Sequence, residues 1–228
     1  MKKAERMLGL IVLLATALGT MITGQEYLQT QGEEVETRGL IVIDPGHGGK
    51  DPGKVGCHNE IEKDINLAIA LMIEEHLQAE GYEVVLTRDG DTTATGEYDS
   101  AKQQDMQARV NIINESNPLC CVSIHQNSYS SSGVSGAQVF YYPGSEEGCK
   151  LAEILQRYLV EKADPENDRR IKTEDSYYVL KNTSCPIVIA ECGFLSDEKE
   201  SVKLNSVEYQ EILAAAIAEG IIAYLNME

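Results

Sequence analysis

Short apolar runs alternate with longer amphipathic segments along most of this chain, and this alternation limits the possible folds more than any other feature. The apolar runs have the length of buried strands and occupy residues 39–43, 83–87, 119–124, 137–142 and 186–190. The amphipathic segments repeat apolar residues at helical spacing and occupy residues 63–80, 102–115, 146–162 and 209–225. The polar segments 90–101 and 164–176 are predicted to be loops. Because strands that alternate with helices are typical of layered proteins, we predict an α/β fold: a mostly parallel or mixed twisted sheet of about five to six strands, with helices on both faces.

The first 25 residues carry the pattern of an export signal. Three cations within residues 2–6 precede a stretch from residue 7 to residue 25 that contains no charged side chain. This pattern is typical of a secretory signal peptide or an uncleaved membrane anchor, and a buried core helix is the alternative interpretation. We expect an exported protein of the cell envelope or the extracellular space that contacts a membrane only through this N-terminal segment. The predicted division of the chain is a signal or anchor at 1–25, a polar tether at 26–38 and a folded domain at 39–228.

The net charge of the chain argues against binding to nucleic acids or to anionic lipid surfaces. The 228 residues include 19 Lys and Arg against 37 Asp and Glu, which gives a net charge of −18. Binding to nucleic-acid phosphates requires clustered cations, and attraction to anionic lipids has the same requirement. We therefore expect no nucleic-acid partner and no charge-driven attachment to a membrane surface.

The six cysteines are not spaced like those of a disulfide scaffold or of a thiolate metal cluster, since no C-x-x-C pair occurs. Cysteine in the core of a protein behaves as a small apolar residue, so we expect most of these thiols to be free and buried. Cys120 and Cys121 are neighbours in an apolar run, and on a strand they would face opposite sides of the sheet.

Residues that can bind metals or transfer protons stand at the ends of predicted strands. His47 follows the first strand, His125 follows the third, and Glu191 ends the fifth. Because the carboxyl ends of parallel strands meet at one edge of a sheet, we expect these side chains to converge there. Glu62 opens the helix that returns from the first strand, and this helix begins at the same edge. Two imidazoles and a carboxylate with an open fourth position form a hydrolytic zinc site, in which the remaining glutamate would be the general base.

Each of these residues also has a structural interpretation. A single histidine is more often part of the packed structure than a metal ligand, and Glu62 could be a helix-terminal acid that interacts with the helix dipole. Glu60 stands in the same acidic stretch and could take the role of Glu62. The glycines around His47 could form a phosphate loop, although the Gly-Lys-Ser/Thr ending of such loops is missing. Glu191 is harder to explain structurally, because an unpaired buried carboxylate is costly.

Several short motifs follow one another in a characteristic order. They are Asp-Pro-Gly-His-Gly-Gly at 44–49, Glu-Lys-Asp-Ile-Asn-Leu at 62–67, Thr-Arg at 87–88, Ser-Ile-His at 123–125 and Glu-Cys-Gly-Phe-Leu-Ser at 191–196. Over residues 39–225 this pattern resembles the catalytic domain of the zinc-dependent N-acetylmuramoyl-L-alanine amidases of the amidase-3 type. The resemblance implies Zn²⁺ as cofactor and hydrolysis of the amide between the lactyl group of N-acetylmuramic acid and L-Ala of a peptidoglycan stem peptide. It also implies the site residues: zinc ligands His47, Glu62 (the glutamate directly before Lys63) and His125, and the catalytic Glu191.

The chain departs from the family pattern at a few positions near these motifs. Gln126 stands where Ala is common, Asp197 where Asn is common, and Lys54 where a small residue is usual. The differences bear on substrate preference, since no implied ligand or base is affected. Asn127 is a candidate for substrate contact and equally for a structural role, and no other substrate-binding residue is predicted.

A signal followed by one catalytic domain resembles the amidases of spore cortex maturation. Those enzymes form muramic-δ-lactam together with a second enzyme, and some depend on a lipoprotein. The similarity implies peptidoglycan as substrate and an activating protein partner. Two alternatives stay open, namely another zinc hydrolase on the same scaffold, such as a peptidase or deacetylase, and a wall- or partner-binding module without catalysis.

Overall fold

The computed structural model describes residues 37–131 and 133–227. The export signal predicted at 1–25 and nearly all of the tether predicted at 26–38 lie outside these residues. The strands are β1 (Leu40–Pro45), β2 (Glu83–Leu86), β3 (Cys120–Asn127), β4 (Gln138–Tyr141), β5 (Lys172–Thr173) and β6 (Ile187–Phe194). The helices are α1 (Glu62–Ala79), α2 (Lys102–Ser116), α3 (Glu146–Lys162), α4 (Tyr178–Asn182), α5 (Glu198–Leu204) and α6 (Val207–Leu225). None of the helices in the described ranges is both long and apolar enough to cross a bilayer.

The strands form one sheet in the order β2-β1-β3-β6-β4-β5. The pairs β1–β2, β1–β3, β3–β6 and β4–β5 are parallel, and β4 runs antiparallel to β6. The predicted α/β fold with a mostly parallel, mixed sheet is therefore confirmed. The carboxyl ends of β1, β3 and β6 lie side by side, which places the candidate residues at one edge.

Alternate residues of the central strands separate into two apolar layers. Ile41 and Ile43 of β1 face the larger layer, where α1, α3 and α6 pack, whereas Val42 faces the smaller layer with α2 and α4. Cys120 and Cys121 divide in the same way, as predicted from their adjacent positions on a strand. Both faces of the sheet are covered by helices, which explains why the central strands are unbroken apolar runs.

All six cysteines are free. The predicted burial is found for Cys120, Cys121 and Cys192, while Cys149 and Cys185 are half-buried and Cys57 is exposed. The expectation is therefore correct for the free state of the thiols and only partly correct for their burial.

Two strands are longer than their apolar runs predict. β3 continues to Asn127 and β6 to Phe194, so His125 and Glu191 lie within strands rather than at or beyond their ends. The backbones of these two residues pair in register, and ladder hydrogen bonds do not require apolar side chains. The sequence reading also missed β5, α4 and α5, which have two, five and seven residues and are too short to show a clear periodic pattern.

Candidate metal centre

His47, Glu62 and His125 meet at the carboxyl edge of β1 and β3. Glu62 Oε1 lies 3.2 Å from His47 Nε2 and 3.1 Å from His125 Nδ1. Ligand atoms from the three residues all lie within 4.8 Å of one another. The imidazole rings stand edge to face with their centroids 5.0 Å apart. Two imidazole nitrogens and a carboxylate oxygen directed at one point can hold a divalent metal ion.

A tight turn after β1 brings the ring of His47 beside that of His125. Gly46 N donates to Ile124 O of β3 at 3.0 Å, so the turn lies directly against that strand. A Cβ atom at Gly46 would overlap the His125 ring, which explains the glycine at this position. His47 itself has a φ of 61°, in the left-handed region that residues other than glycine rarely adopt.

Two buried arginines hold the backbone of this turn. Arg88 donates from Nε to Pro45 O and from Nη2 to Gly46 O, both at 3.0 Å. Arg109 donates from Nη1 to Pro45 O at 2.8 Å and from Nη2 to His47 O at 2.5 Å. Carbonyl oxygens of three consecutive residues are thereby fixed, and such surrounding bonds are what keeps an unfavourable backbone conformation in place.

Carboxylates balance the buried charge of Arg109. Asp44 Oδ1 lies 2.6 Å from Arg109 Nη1, and Asp105 Oδ2 lies 3.1 Å from its Nε. Asp44 also accepts hydrogen bonds from Thr87 Oγ1 at 2.5 Å and Ser123 Oγ at 2.6 Å. Burial alone would raise the pKa of Asp44, but the Arg109 charge and the two hydroxyls lower it to about 2. The carboxylate is therefore ionised at neutral pH.

Further hydrogen bonds orient the side chains that could bind the metal ion. Asp51 Oδ2 lies 3.0 Å from His47 Nδ1, so the other ring nitrogen faces Glu62. Glu62 accepts hydrogen bonds from the backbone N–H groups of Lys54 at 2.7 Å and Gln126 at 3.1 Å. Burial would raise the pKa of Glu62, but hydrogen bonds and charge from the two histidines hold it well below its usual range. An ionised carboxylate beside two imidazoles favours a bound cation.

Glu191 lies beside this group on β6, paired in register with His125. The residue is 8% exposed, and its Oε2 is buried without a hydrogen-bond partner among the residues that the structure describes. Burial raises the pKa of Glu191 to about 7; the nearby histidines oppose this shift and the Glu62 charge adds to it. A carboxyl group with a pKa near neutrality can both accept and release a proton.

Glu60, the alternative to Glu62 in the sequence, lies apart from the histidine pair of the site. Its Oε2 accepts hydrogen bonds from Ser201 Oγ at 2.6 Å and from His58 N at 2.9 Å. These bonds tie the loop before α1 to α5. Of the two glutamates, Glu62 is the one that the structure brings to His47 and His125.

The two arginines were not among the predicted site residues. Arg88 belongs to the Thr-Arg motif at 87–88, and this motif was the signal for its importance. Arg109 resembles any surface cation of an amphipathic helix, yet it is fully buried. Its position next to the apolar Val110, four residues after Asp105, is the only pattern that could have indicated a buried ion pair.

A cavity of about 490 Å³ opens over His47, Glu62, His125 and Glu191. Its volume is in the range of sites for small organic groups. Asn127, the candidate for substrate contact, also lines this cavity, and its Oδ1 accepts a hydrogen bond from Ser128 N at 2.7 Å.

The fold and the residues of this site together indicate that the protein is an amidohydrolase. A family model described as N-acetylmuramoyl-L-alanine amidase matches residues 41–223, and the chain belongs to this family. It is similar to the germination-specific N-acetylmuramoyl-L-alanine amidase of Bacillus subtilis, with 37% identity over 192 residues that cover 82% of this chain and 80% of the relative.

Solved structures agree with this assignment. The CwlD amidase from Clostridioides difficile, in complex with the GerS lipoprotein, matches with a TM-score of 0.79 and 38% identity over 84% of this chain and 100% of that chain. N-acetylmuramoyl-L-alanine amidase AmiC2 of Nostoc punctiforme matches with a TM-score of 0.72 and 36% identity over 82% and 97% of the two chains. The predicted family, fold and enzyme class are confirmed, and the chain is an N-acetylmuramoyl-L-alanine amidase.

Proposed function

We propose that this amidase is zinc-dependent and that His47, Glu62 and His125 hold the metal ion. The observation that carries the proposal is the approach of their ligand atoms to within 4.8 Å of one another below an open cavity. Imidazole nitrogen and carboxylate oxygen are typical zinc donors, and three protein ligands leave a coordination position for the reaction. Glu191 Oε2 is buried beside these donors and has no hydrogen-bond partner within residues 37–131 and 133–227, which supports a catalytic role for that carboxyl group.

The residues of the site have different roles in the hydrolysis. When bound, zinc supplies Lewis-acid chemistry, which polarises the scissile carbonyl and acidifies water. Glu191 accepts a proton from the attacking water and delivers a proton to the leaving amide nitrogen. The C–N bond breaks, the water oxygen joins the lactyl carbonyl carbon, and L-Ala leaves with a free amine. Asp51 fixes the ring orientation of His47 through Nδ1, a contact that typically strengthens a histidine ligand.

Digestion of purified peptidoglycan by the full-length protein tests this function. We expect zinc-dependent release of stem peptides that carry a free L-Ala amine, identified by mass spectrometry. Acetate release or cleavage inside the peptide would instead support a deacetylase or peptidase. Chelation should abolish the release, and zinc should restore it.

Two substitutions separate the proposed roles. Glu191→Ala should keep its zinc content and lose turnover, whereas His47→Ala should lose both zinc and activity. His76→Ala is the matched control, because His76 lies against Glu211 on the surface, with a 2.7 Å contact. Full zinc stoichiometry in His47→Ala, or wild-type rates in Glu191→Ala, would contradict the assignment.

We further propose that the enzyme is exported through residues 1–25 and acts on spore cortex peptidoglycan with a protein partner. The germination-specific name of one relative and the GerS lipoprotein bound to another support this setting. Expression in a spore former that lacks its own cortex amidase should restore muramic-δ-lactam. Glu191→Gln and a chain without residues 1–25 should both fail to restore it.

A further inference from the structure

The side chains that line the cavity of the candidate metal centre change in character along the edge of the sheet. β1, β3 and β6 are adjacent, so His47, His125 and Glu191 follow one another across two strand spacings, roughly 10 Å. The cavity lining includes Lys54, in the loop before α1, and Lys102, the first residue of α2, a helix that contacts β1. It also includes Tyr177, whose ring contacts Phe140 of β4, the strand that follows β6 in the sheet order. The substrate therefore meets a cationic side and an aromatic side.

The cationic side belongs to the loop after β1 and to the start of α2. Lys54 lies next to the ligands, since its backbone N–H donates to Glu62 Oε2 at 2.7 Å. Lys102 is the first residue of α2, which packs against β1. Both lysines are exposed at the cavity.

The ammonium groups of Lys54 and Lys102 form no close ion pair with the residues that the structure describes. Within residues 37–131 and 133–227, the lysines in ion pairs with carboxylates are Lys50, Lys63, Lys150 and Lys162, and neither Lys54 nor Lys102 is among them. Asp51, the acidic neighbour on this side, feels the charge of Lys102, but its close contacts are with His47 and with Gly53 N, which donates to it at 3.1 Å. Two lysines outside close ion pairs give this part of the cavity a cationic character, which favours an anionic group of a ligand.

The aromatic side is held in place by packing. The ring of Tyr177 stands against Phe140 of β4, with centroids 6.2 Å apart, and Ile189 of β6 lines the same wall. Tyr177 is 36% exposed, so one part of its ring is packed and another part faces the cavity. A fixed tyrosine suits a ligand that is apolar on one face and hydrated on the other, and a pyranose ring has this character.

We propose that the cavity binds its substrate in one direction, with the peptide toward Lys54 and Lys102 and the sugar toward Tyr177. The lysines recognise a free carboxylate on the residue that follows L-Ala, and the ring of Tyr177 packs on the muramic acid. The amide to be cleaved then lies between them, over His47, His125 and Glu191. This inference rests on the proposed amidase site and adds its substrate preference.

Paired substrates test the cationic side. The full-length, zinc-loaded protein is given disaccharide–L-Ala–D-Glu with a free α-carboxylate and the γ-carboxyl capped as a methylamide, or the same capped compound with D-isoglutamine, in which the α-carboxylate is a neutral amide. We expect kcat/KM to favour the acid about three- to tenfold, mainly through KM, because exposed ion pairs contribute modestly. Lys54→Met and Lys102→Met should each lower this ratio, and Lys150→Met, whose ammonium pairs with Glu147 on α3, should not change it.

A truncated substrate tests the aromatic side. In D-lactyl–L-Ala–D-Glu the sugar ring is absent while the scissile amide is intact. Tyr177→Ala should raise KM for the disaccharide substrate about fivefold more than for the lactyl substrate, and Tyr177→Phe should retain the preference for the sugar. Equal losses on the two substrates would overturn the sugar contact.

Binding measured without turnover separates this inference from the proposed function. Calorimetric titration of zinc-loaded Glu191→Gln with the acid and amide compounds should reproduce the preference for the carboxylate. Binding with that preference but no turnover in the wild type would refute the amidase mechanism alone. Equal affinity for both compounds, or a ratio unchanged in Lys54→Met and Lys102→Met, would refute the inference whatever the activity.

Discussion

Replacement of Arg109 by lysine should destabilise the fold and weaken the metal centre together. Arg109 donates to Asp44, Asp105, Pro45 O and His47 O. A lysine keeps the charge, but its donors leave from a single nitrogen and cannot reach all of these acceptors. If two charge-assisted hydrogen bonds are lost, at about 1.5 kcal/mol each, the free energy of unfolding falls by about 3 kcal/mol.

Urea denaturation measures this loss directly. With an m value of about 2 kcal/mol/M, a loss of about 3 kcal/mol lowers the midpoint by about 1.5 M. Arg157→Lys is the matched control, because Arg157 is an exposed cation on α3 whose guanidinium lies 5.4 Å from the centre of the Tyr158 ring. The control should stay within about 0.5 kcal/mol of the wild type.

The metal centre should respond because Arg109 holds the carbonyl of His47. The left-handed conformation at His47 costs about 1–3 kcal/mol, and with one of its restraints removed the turn can relax. We expect zinc affinity, measured by competition with a chelating dye, to fall about tenfold in Arg109→Lys, which corresponds to about 1.4 kcal/mol. A midpoint equal to that of Arg157→Lys would refute the energetic argument. A lowered midpoint with unchanged zinc affinity would refute the link to His47.

Other predictions concern the same turn and its neighbours. Gly46→Ala should lower zinc affinity at least about tenfold, because the new Cβ overlaps the His125 ring, whereas a Cβ at Gly90 meets nothing within 4 Å and Gly90→Ala should bind zinc normally. Glu62→Gln should lose zinc when its content is measured by mass spectrometry, and Glu60→Gln should keep it. The pKa of Asp44 is lowered from 3.8 to about 2, so its stabilising contribution is complete above pH 4 and is lost as the pH falls through 2. Urea midpoints across this range should therefore fall less in Asp44→Asn than in the wild type.

The fold was predictable because the sheet is covered on both faces. Burial on both sides makes β1, β3 and β6 unbroken apolar runs, and the three long helices α1, α3 and α6 each supply many apolar residues to the larger layer. The apolar run at 137–142 predicted β4 as a strand, but it did not predict that β4 runs antiparallel to β6, since its apolar residues fit either direction. β5 was missed because two exposed residues form no pattern.

The metal-binding and catalytic residues were predictable because histidine and glutamate are unusual at the positions they occupy. A histidine in a glycine-rich turn and a glutamate after an apolar run indicate function, and the structure brings these side chains together. The supporting residues are ordinary in the sequence. Arg109 matches any helical cation, and Tyr177 lies in a polar stretch. Their roles arise from long-range packing that local periodicity does not describe.

The division of Cys120 and Cys121 between the two apolar layers has a consequence for thiol chemistry. The sheet itself separates their sulfur atoms, and burial raises the pKa of both thiols, so neither forms the reactive thiolate readily. Cys192 is enclosed in the same way, whereas Cys57 is exposed. A thiol reagent added to the intact protein should therefore label Cys57 first and reach the enclosed cysteines only when the sheet opens. The rate at which the enclosed cysteines are labelled therefore reports how fast the sheet opens, and it can be measured with the natural cysteines of the chain.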